Sequence, residues 1–319
     1  MTAYIIRRII QSFCVLLIST FMIFCVVRLL PGDPILLYLS QDEYETNLSQ
    51  EEIDALRHEY GLDRSIPVQY LDWGWKALHG DLGVSIFYGT TVWFELRQAV
   101  PISLYLGLIG WIISHILGVP AGIVCAVRRG KWIDTVLTVF GNIGITAPVF
   151  WLGVLLIYVF GLWLGWLPIQ GWTSPFDDLW MNLRQILMPV VCLGLPIIAG
   201  DIRMVRSAML EVTRQDYIRT AWSKGLSERT IIFKHALRNG IIPIVTLMGM
   251  SVPQVFGGQV LIETVFNIPG MGRLAVEALF SQDYAIIQGI ALMMTSIIIT
   301  CNFLVDISYG WIDPRVKYS

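Results

Sequence analysis

Ala221 and Gly225 fall four residues apart inside Asp216-Tyr-Ile-Arg-Thr-Ala-Trp-Ser-Lys-Gly-Leu226. In a short helix they would share one face, and small side chains there let a second protein approach the backbone closely. Arg219 and Lys224 stand beside them to pair with acids across such a contact, and Gly225 is placed to end the helix. The chemistry on offer is docking. Bond-making chemistry has no comparable signal: the sequence holds no G-x-x-x-x-G-K-[ST] phosphate loop, no H-E-x-x-H, no G-x-S-x-G and no C-x-x-C. His58, His79, His115 and His235 are scattered, and Cys14, Cys25, Cys125, Cys192 and Cys301 all lie in or beside apolar runs. Neither a metal site nor a disulfide framework is predicted, and no catalytic or cofactor-binding residue is assigned.

The docking segment belongs to a basic stretch, Arg203 to Asn239, which carries Arg203, Arg206, Arg214, Arg219, Lys224, Arg229, Lys234 and Arg238 between two greasy segments. The chain is 55% hydrophobic and 14% charged, with a mean hydropathy of +0.64, so it reads as an all-α integral membrane protein. Its net charge of -2 indicates no nucleic-acid partner. Six spans are predicted: 9–30, 100–127, 135–166, 186–200 running on into the basic stretch, 241–262 and 285–311. The first follows Arg7-Arg8 and is long enough to be a retained helix instead of a cleaved leader. Six spans put both termini on one side. Placing them inside puts Arg7, Arg8, Arg128, Arg129, Lys131, the eight cations of the basic stretch, Arg315 and Lys317 there, 15 of the 22 cations in all. That is the cytoplasmic side by the positive-inside rule.

The segment 31–98 then falls outside. It is acidic, with a helix predicted from Gln50 to Tyr60, opened by a Ser49-Gln-Glu-Glu52 capping box and closed by Gly61. A second helix is predicted from near Pro67 to near Gly80, whose Tyr70, Trp73 and Trp75 suit the headgroup level. No internal repeat is evident, and 1–319 reads as one domain: first helix 1–30, outer segment 31–98, and a five-helix core 99–312 with the basic docking stretch 203–240.

Two spans are not smooth rods. The third contains Asn142, Gly144, Thr146 and Pro148, and the fourth contains Pro189, Gly194 and Pro196. Proline frees carbonyls that must find partners, so broken helices face protein or a water-filled cavity. Asn142, Thr146, Pro148, Pro196 and Asp201 are therefore candidates to line a pathway. An ionisable residue at membrane depth is a functional candidate by default, which applies to Asp201, Asp306 and His115. For His115 a hydrogen-bonded packing role is expected, and for Asp201 pairing with a nearby cation such as Arg203 or Arg206.

Leu30-Pro-Gly-Asp-Pro34, Tyr60-Gly-Leu-Asp63, Gly80-Asp-Leu-Gly83, Asp216 to Leu226, His235-Ala-Leu-Arg-Asn239, Pro269-Gly-Met-Gly272, Asp283-Tyr284 and Asp313-Pro-Arg315 together carry a resemblance running nearly end to end. The chain resembles the inner-membrane permease subunits of the binding-protein-dependent ABC importers of dipeptides, oligopeptides and nickel, and the first of that group's two paired permeases. The central segment is similar to the family's EAA loop, with Arg219-Thr220-Ala221 in the first triplet and Gly225 at the glycine. His235 and Arg238 stand where the loop has isoleucine and proline. The resemblance implies six helices with a cytoplasmic coupling helix between the fourth and fifth, where Tyr217, Arg219, Thr220, Ala221, Lys224, Gly225 and Leu226 meet an ATPase subunit. It implies a second, homologous permease, two ATPases that bind ATP and Mg, and an extracytoplasmic binding protein. It also implies a bacterial inner membrane and movement by alternating access, with no cofactor on this chain.

Peptide, nickel or another metal chelate, and glutathione remain open as cargo at this point, because the spans carry no specificity motif. A stand-alone channel or ion-coupled carrier is the reading from another class. It should place several carboxylates or histidines deep in the helices, and it leaves the basic stretch unexplained.

Overall fold

The structure, a computed structural model, describes residues 2–29, 35, 50–59 and 61–312. Residues 30–34, the acids Asp42, Glu43 and Glu45, the capping Ser49, Tyr60 and the closing Asp313-Pro-Arg315 lie outside the described residues. At Arg238, Asn239 and Asp306 only the backbone is described.

Among the described residues the chain is helical, and its one sheet-like feature is an isolated bridge between Val84 and Thr91. The main helices are α1 (Thr2–Arg28), α2 (Gln50–Glu59), α3 (Ile66–Leu78), α4 (Val92–Val127), α5 (Trp132–Thr146), α6 (Val149–Leu156), α7 (Leu179–Val212), α8 (Asp216–Ser223), α9 (Leu237–Val265), α10 (Met271–Phe280) and α11 (Tyr284–Ile312). A π-helical turn, Ile157–Trp163, prolongs α6, and a second, Ile231–Ala236, leads into α9. Among the described residues four helices are long and apolar enough to cross a membrane (Ile6–Arg28, Val92–Val127, Leu179–Val212 and Tyr284–Val305), and a fifth if the bent pair Trp132–Thr146 and Val149–Trp163 is one span. The sequence-predicted span 241–262 lies within the 29-residue α9, whose side chains are described only in part.

The chain's contacts gather into two compact units, 1–103 with 269–300, and 104–268 with 301–319. This grouping cuts across the chain-order division 1–30, 31–98 and 99–312.

In the first unit, Leu82, Val92, Leu96, Ala99, Met271, Leu274, Ala278, Ile286 and Ile290 form a core from the start of α4, from α10 and from the start of α11. Helix α1 packs on α3, where Phe21 and Phe24 meet Tyr70 edge to face and the Tyr70 and Thr20 hydroxyls lie 3.0 Å apart. Of the three aromatic residues predicted for the headgroup level, Tyr70 and Trp73 are thus turned onto α1, while Trp75 is exposed. Gly61 (φ +65°) and Gly80 (φ +84°) end α2 and α3 in the left-handed conformation that glycine adopts without a Cβ penalty.

In the second unit, α5 and α9 pack along α7, and α6 touches both α7 and α9. A stripe of small residues on α4, Gly110, Ser114, Gly118 and Gly122, also lies against α7: a Cβ at Gly118 would meet Asp201 at 2.7 Å and one at Gly122 would meet Val205 at 2.7 Å. Close backbone approach through small residues is how helices associate where lipid supplies no hydrophobic drive.

The two proline-bearing spans behave differently. Ala147 and Pro148 are extended (ψ 127° and 129°), α5 stops at Thr146, and α6 leaves at 107°. Proline has no N–H and pushes the residue before it out of the helical region. In α7, by contrast, Pro189 and Pro196 lie inside one helix of 34 residues, so the break expected in the fourth span is absent. Packing of α4, α5 and α9 along α7 holds it helical through both prolines. Asp178 caps its start, accepting from the Met181 N–H at 2.9 Å.

Candidate functional site

Helix α8 stands on the second unit by two side chains. Ile218 and Ala221, three residues apart on one face, are buried in a cluster with Ala126, Val205, Met209, Ile231 and Ala236. Its end is a Schellman motif: Gly225 N–H donates to the Trp222 carbonyl at 2.9 Å and Leu226 N–H to the Ala221 carbonyl at 3.4 Å. This closure requires the left-handed Gly225, φ +72°, around whose missing Cβ nothing lies within 4 Å. Ser227 then opens the next turn by accepting from Thr230 N–H at 3.4 Å.

The outward face of α8 carries Tyr217, Arg219, Thr220 and Trp222, followed by exposed Lys224 and Gly225. Thr220 and Ser223 donate back to the Asp216 and Arg219 carbonyls at 3.0 and 3.1 Å, so their hydroxyls are spent on the helix itself. Arg219 lies 3.5 Å from Asp216, an exposed pair that contributes little to stability and leaves the guanidinium at the surface. What the patch presents is two aromatic rings and two cations on a short rigid helix. The sequence motif is therefore split by the fold. Ala221 faces its own chain, so the close approach its size permits is intramolecular, while Gly225 stays open. Trp222, which sequence reasoning left unassigned, joins the exposed face; the Ile218, Ala221, Leu226 spacing was the signal that this side turns inward.

The five pathway candidates are spread over α5, the start of α6 and α7. Asn142 and Thr146 are exposed on α5, with Thr146 donating to the Asn142 carbonyl at 3.0 Å. Pro148 is the N-cap of α6, and Pro196 is half-buried in α7. Asp201 is only 4% exposed and meets His115, not Arg203 or Arg206: its Oδ2 lies 2.7 Å from His115 Nδ1. On the other side of the ring, Nε2 is 3.0 Å from Ser251 Oγ, which donates to the Met248 carbonyl at 2.8 Å and accepts from Trp111 Nε1 at 2.9 Å. With the Ser251 proton committed to Met248, His115 Nε2 must be a donor. Nδ1 in turn shares a hydrogen bond with the Asp201 carboxyl. The connectivity is that of an acyl-transfer triad, yet this hydroxyl is sealed and donates elsewhere, so its role is to join α4, α7 and α9. Arg206 has a separate partner, Asp134 on α5, held by two bonds of 2.7 and 2.9 Å. Asp134, Ser251 and Trp111 escaped sequence reasoning because their partners lie 72 to 140 residues away.

In the first unit, Asp283 caps α11. It accepts from Ser85 Oγ, from Phe87 N–H at 3.3 Å and from Ile286 N–H at 3.2 Å. Burial nonetheless pushes this carboxyl above the usual range, outweighing the hydrogen bonds. Nearby Tyr88 donates to Glu277 at 3.3 Å, and burial first, then the Glu277 charge, pushes its phenol up to about 12.

Residues 118–318 match the family described as "Binding-protein-dependent transport system inner membrane component", and residues 1–106 match its N-terminal counterpart. A probable peptide ABC transporter permease protein of Sinorhizobium fredii is 38% identical, with 100% of each chain covered. A putative peptide permease protein of Brucella suis is 39% identical over 99% of each chain, and the oligopeptide transport system permease protein AppB of Bacillus subtilis is 36% identical over 100% of each. Among solved structures, an inward-facing MetNI methionine ABC transporter chain superposes with a TM-score of 0.54 at 17% identity, covering 69% of this chain and 97% of that one. At that identity the likeness is one of fold.

Proposed function

The chain belongs to the family of binding-protein-dependent transport system inner membrane components, and from that premise we propose that it forms half of a path carrying di- or oligopeptides through the bacterial cytoplasmic membrane. It is a permease subunit of an ABC importer, not the catalytic one. The relatives named for peptides support peptide cargo over nickel, another metal chelate or glutathione. In this reading α9 supplies the fifth of six spans, both termini are cytoplasmic, and α8 is the coupling helix between the fourth and fifth. A second, homologous permease completes the path, two ATPases bind ATP with Mg below it, and an extracytoplasmic binding protein delivers the peptide from above.

The observation that carries the reading is the construction of α8. Two buried anchors and a glycine-closed end fix a helix that shows aromatic and cationic groups outward, next to the end of α7. Aromatic residues and arginine are the groups enriched at interface centres. A force applied to α8 passes directly into the packed second unit. Closure of the ATPases would move these helices together and rock the spans between inward-open and outward-open states, with Asn142, Thr146, Pro148, Pro196 and Asp201 as the positions to probe along the way.

The test is ATP-dependent uptake by proteoliposomes holding the full complex, offered a tripeptide pool or a nickel chelate, with Gly225→Asp as the variant. The left-handed backbone costs an aspartate about 1–2 kcal/mol and its side chain meets open space, so assembly should persist. Peptide uptake that requires ATP and drops at least roughly tenfold in the variant, on the scale of one lost interface hot spot, is expected. Uptake without ATP would support a carrier or channel instead, and chelate uptake alone would reassign the cargo.

A further inference from the structure

A cavity of about 430 Å³ lies in the first unit between the end of α1, the loop after α2, α3 and the first turns of α11. Three side chains on its wall have a nitrogen with no hydrogen-bond partner: Arg28 Nη1, Trp73 Nε1 and Gln288 Nε2. Gln288 is only 4% exposed. Buried polar atoms are almost always bonded, so three such nitrogens around one cavity call for an explanation. All three are donors. Whatever meets them must offer acceptors alone.

The charges agree. Arg28, Arg64 and Lys76 line the cavity with Asp72 and Asp81. Both carboxylates are already engaged, Asp72 with Arg64 at 2.5 Å and Asp81 with the Gly83 N–H at 2.9 Å. Arg28 is held in place from behind: its Nε donates to Gln69 Oε1 at 2.5 Å and its guanidinium lies 3.5 Å over the Phe24 ring. Gln69 is itself fixed, donating to the Arg64 carbonyl at 2.7 Å. An oriented guanidinium with two neutral donors suits an oxyanion.

The surroundings say what carries that anion. The cavity sits where one apolar span ends, at Arg28, and another begins, at Tyr284. That is the depth of the lipid headgroups. Helix α1 exposes Ile18, Met22, Val26 and Leu29 along one face leading to this level, and α3 exposes Val68, Leu71, Trp75 and Leu78 along another. An amphipathic helix with such a face lies in the membrane interface. We propose that this cavity binds the phosphodiester of a phospholipid headgroup, through Arg28, Trp73 and Gln288, with the acyl chains against the exposed faces of α1 and α3. The site is independent of the cargo and of α8.

Native mass spectrometry of the purified full chain tests it, with phosphatidylglycerol, a diacylglycerol of the same chains, and inorganic phosphate as probes. Tight phosphatidylglycerol adducts are expected on the unmodified chain, weakened roughly tenfold in Arg28→Met and in the double variant Trp73→Phe/Gln288→Leu, as the loss of charge-assisted and neutral donors implies. A second readout guards against misfolding. Delipidated Gln288→Leu, which loses an unpartnered donor, should melt no lower than the unmodified chain, while added phosphatidylglycerol should raise the melting temperature of the unmodified chain more. Variants that hold the lipid unchanged would overturn the proposal, as would diacylglycerol binding equally well. Inorganic phosphate binding with the same variant sensitivity, without lipid, would make this a free-anion site and overturn the lipid assignment.

Discussion

Asp201 and Asp283 are both buried carboxylates, and they are buried in different company. Asp283 meets fixed donors, among them the Ser85 hydroxyl and the Phe87 and Ile286 N–H groups, which define the start of α11. Asp201 meets the ring of His115, a side chain from another helix that is itself bonded onward to Ser251. The first arrangement holds one geometry. The second ties three helices together by a hydrogen bond that both partners need, so losing either partner strands the other. Buried charge serves as a cap in one unit and as a clamp in the other, and the partner decides which.

The largest effect should come from breaking the clamp on one side. Asp201→Ala leaves His115 without its acceptor, and breaking a buried pair by removing one partner costs roughly 3–5 kcal/mol. The melting temperature of the purified chain should fall accordingly, and His115→Leu with Asp201→Leu together should lose clearly less than the two single changes summed. Additive losses would mean the two residues act separately and would erase the contrast. Next in size is Asp283→Ala, which strips three donors of their acceptor and should cost about 1–3 kcal/mol, read as faster amide exchange at Phe87 and Ile286. Unchanged exchange there would show that the cap is ornamental.

The smallest effect is a pH slope. Burial raises the Asp283 carboxyl in the folded chain above its value of 3.8. Between the unfolded and folded values the folded chain binds more protons, so this group's contribution to stability falls as pH rises through that window. Acidification toward 3.8 should therefore raise the protection factors at Phe87 and Ile286, with the intrinsic pH dependence of exchange divided out, and Asp283→Asn should flatten that dependence. An opposite slope would mean that the hydrogen bonds outweigh burial.

Local features were legible in the sequence. Gly225, Gly61 and Gly80 each end a helix where a left-handed residue was expected, because only a few neighbouring backbone groups decide such a turn. Pro148 breaks its span for the same local reason. Pro189 and Pro196 were misleading because packing by α4, α5 and α9, remote in sequence, overrides local preference. The i, i+4 spacing of Ala221 and Gly225 identified a helix face without saying which way it turned. The clamp was out of reach altogether: His115 and Asp201 were each noted as ionisable residues in apolar segments, but 86 residues separate them and Ser251 gave no sign of joining them.

The unbroken run of α7 has a mechanical consequence. From Asp201, where the clamp grips it, to its end at Val212 is 11 residues, about 16 Å of rod. If the rod pivots there, a tilt of about 10° at that fulcrum sweeps the far end through about 3 Å, roughly half of one helical turn. A modest displacement at the foot thus arrives at the pivot as a small rotation with gained force, which is the gearing by which a weak push could part a tightly packed interface.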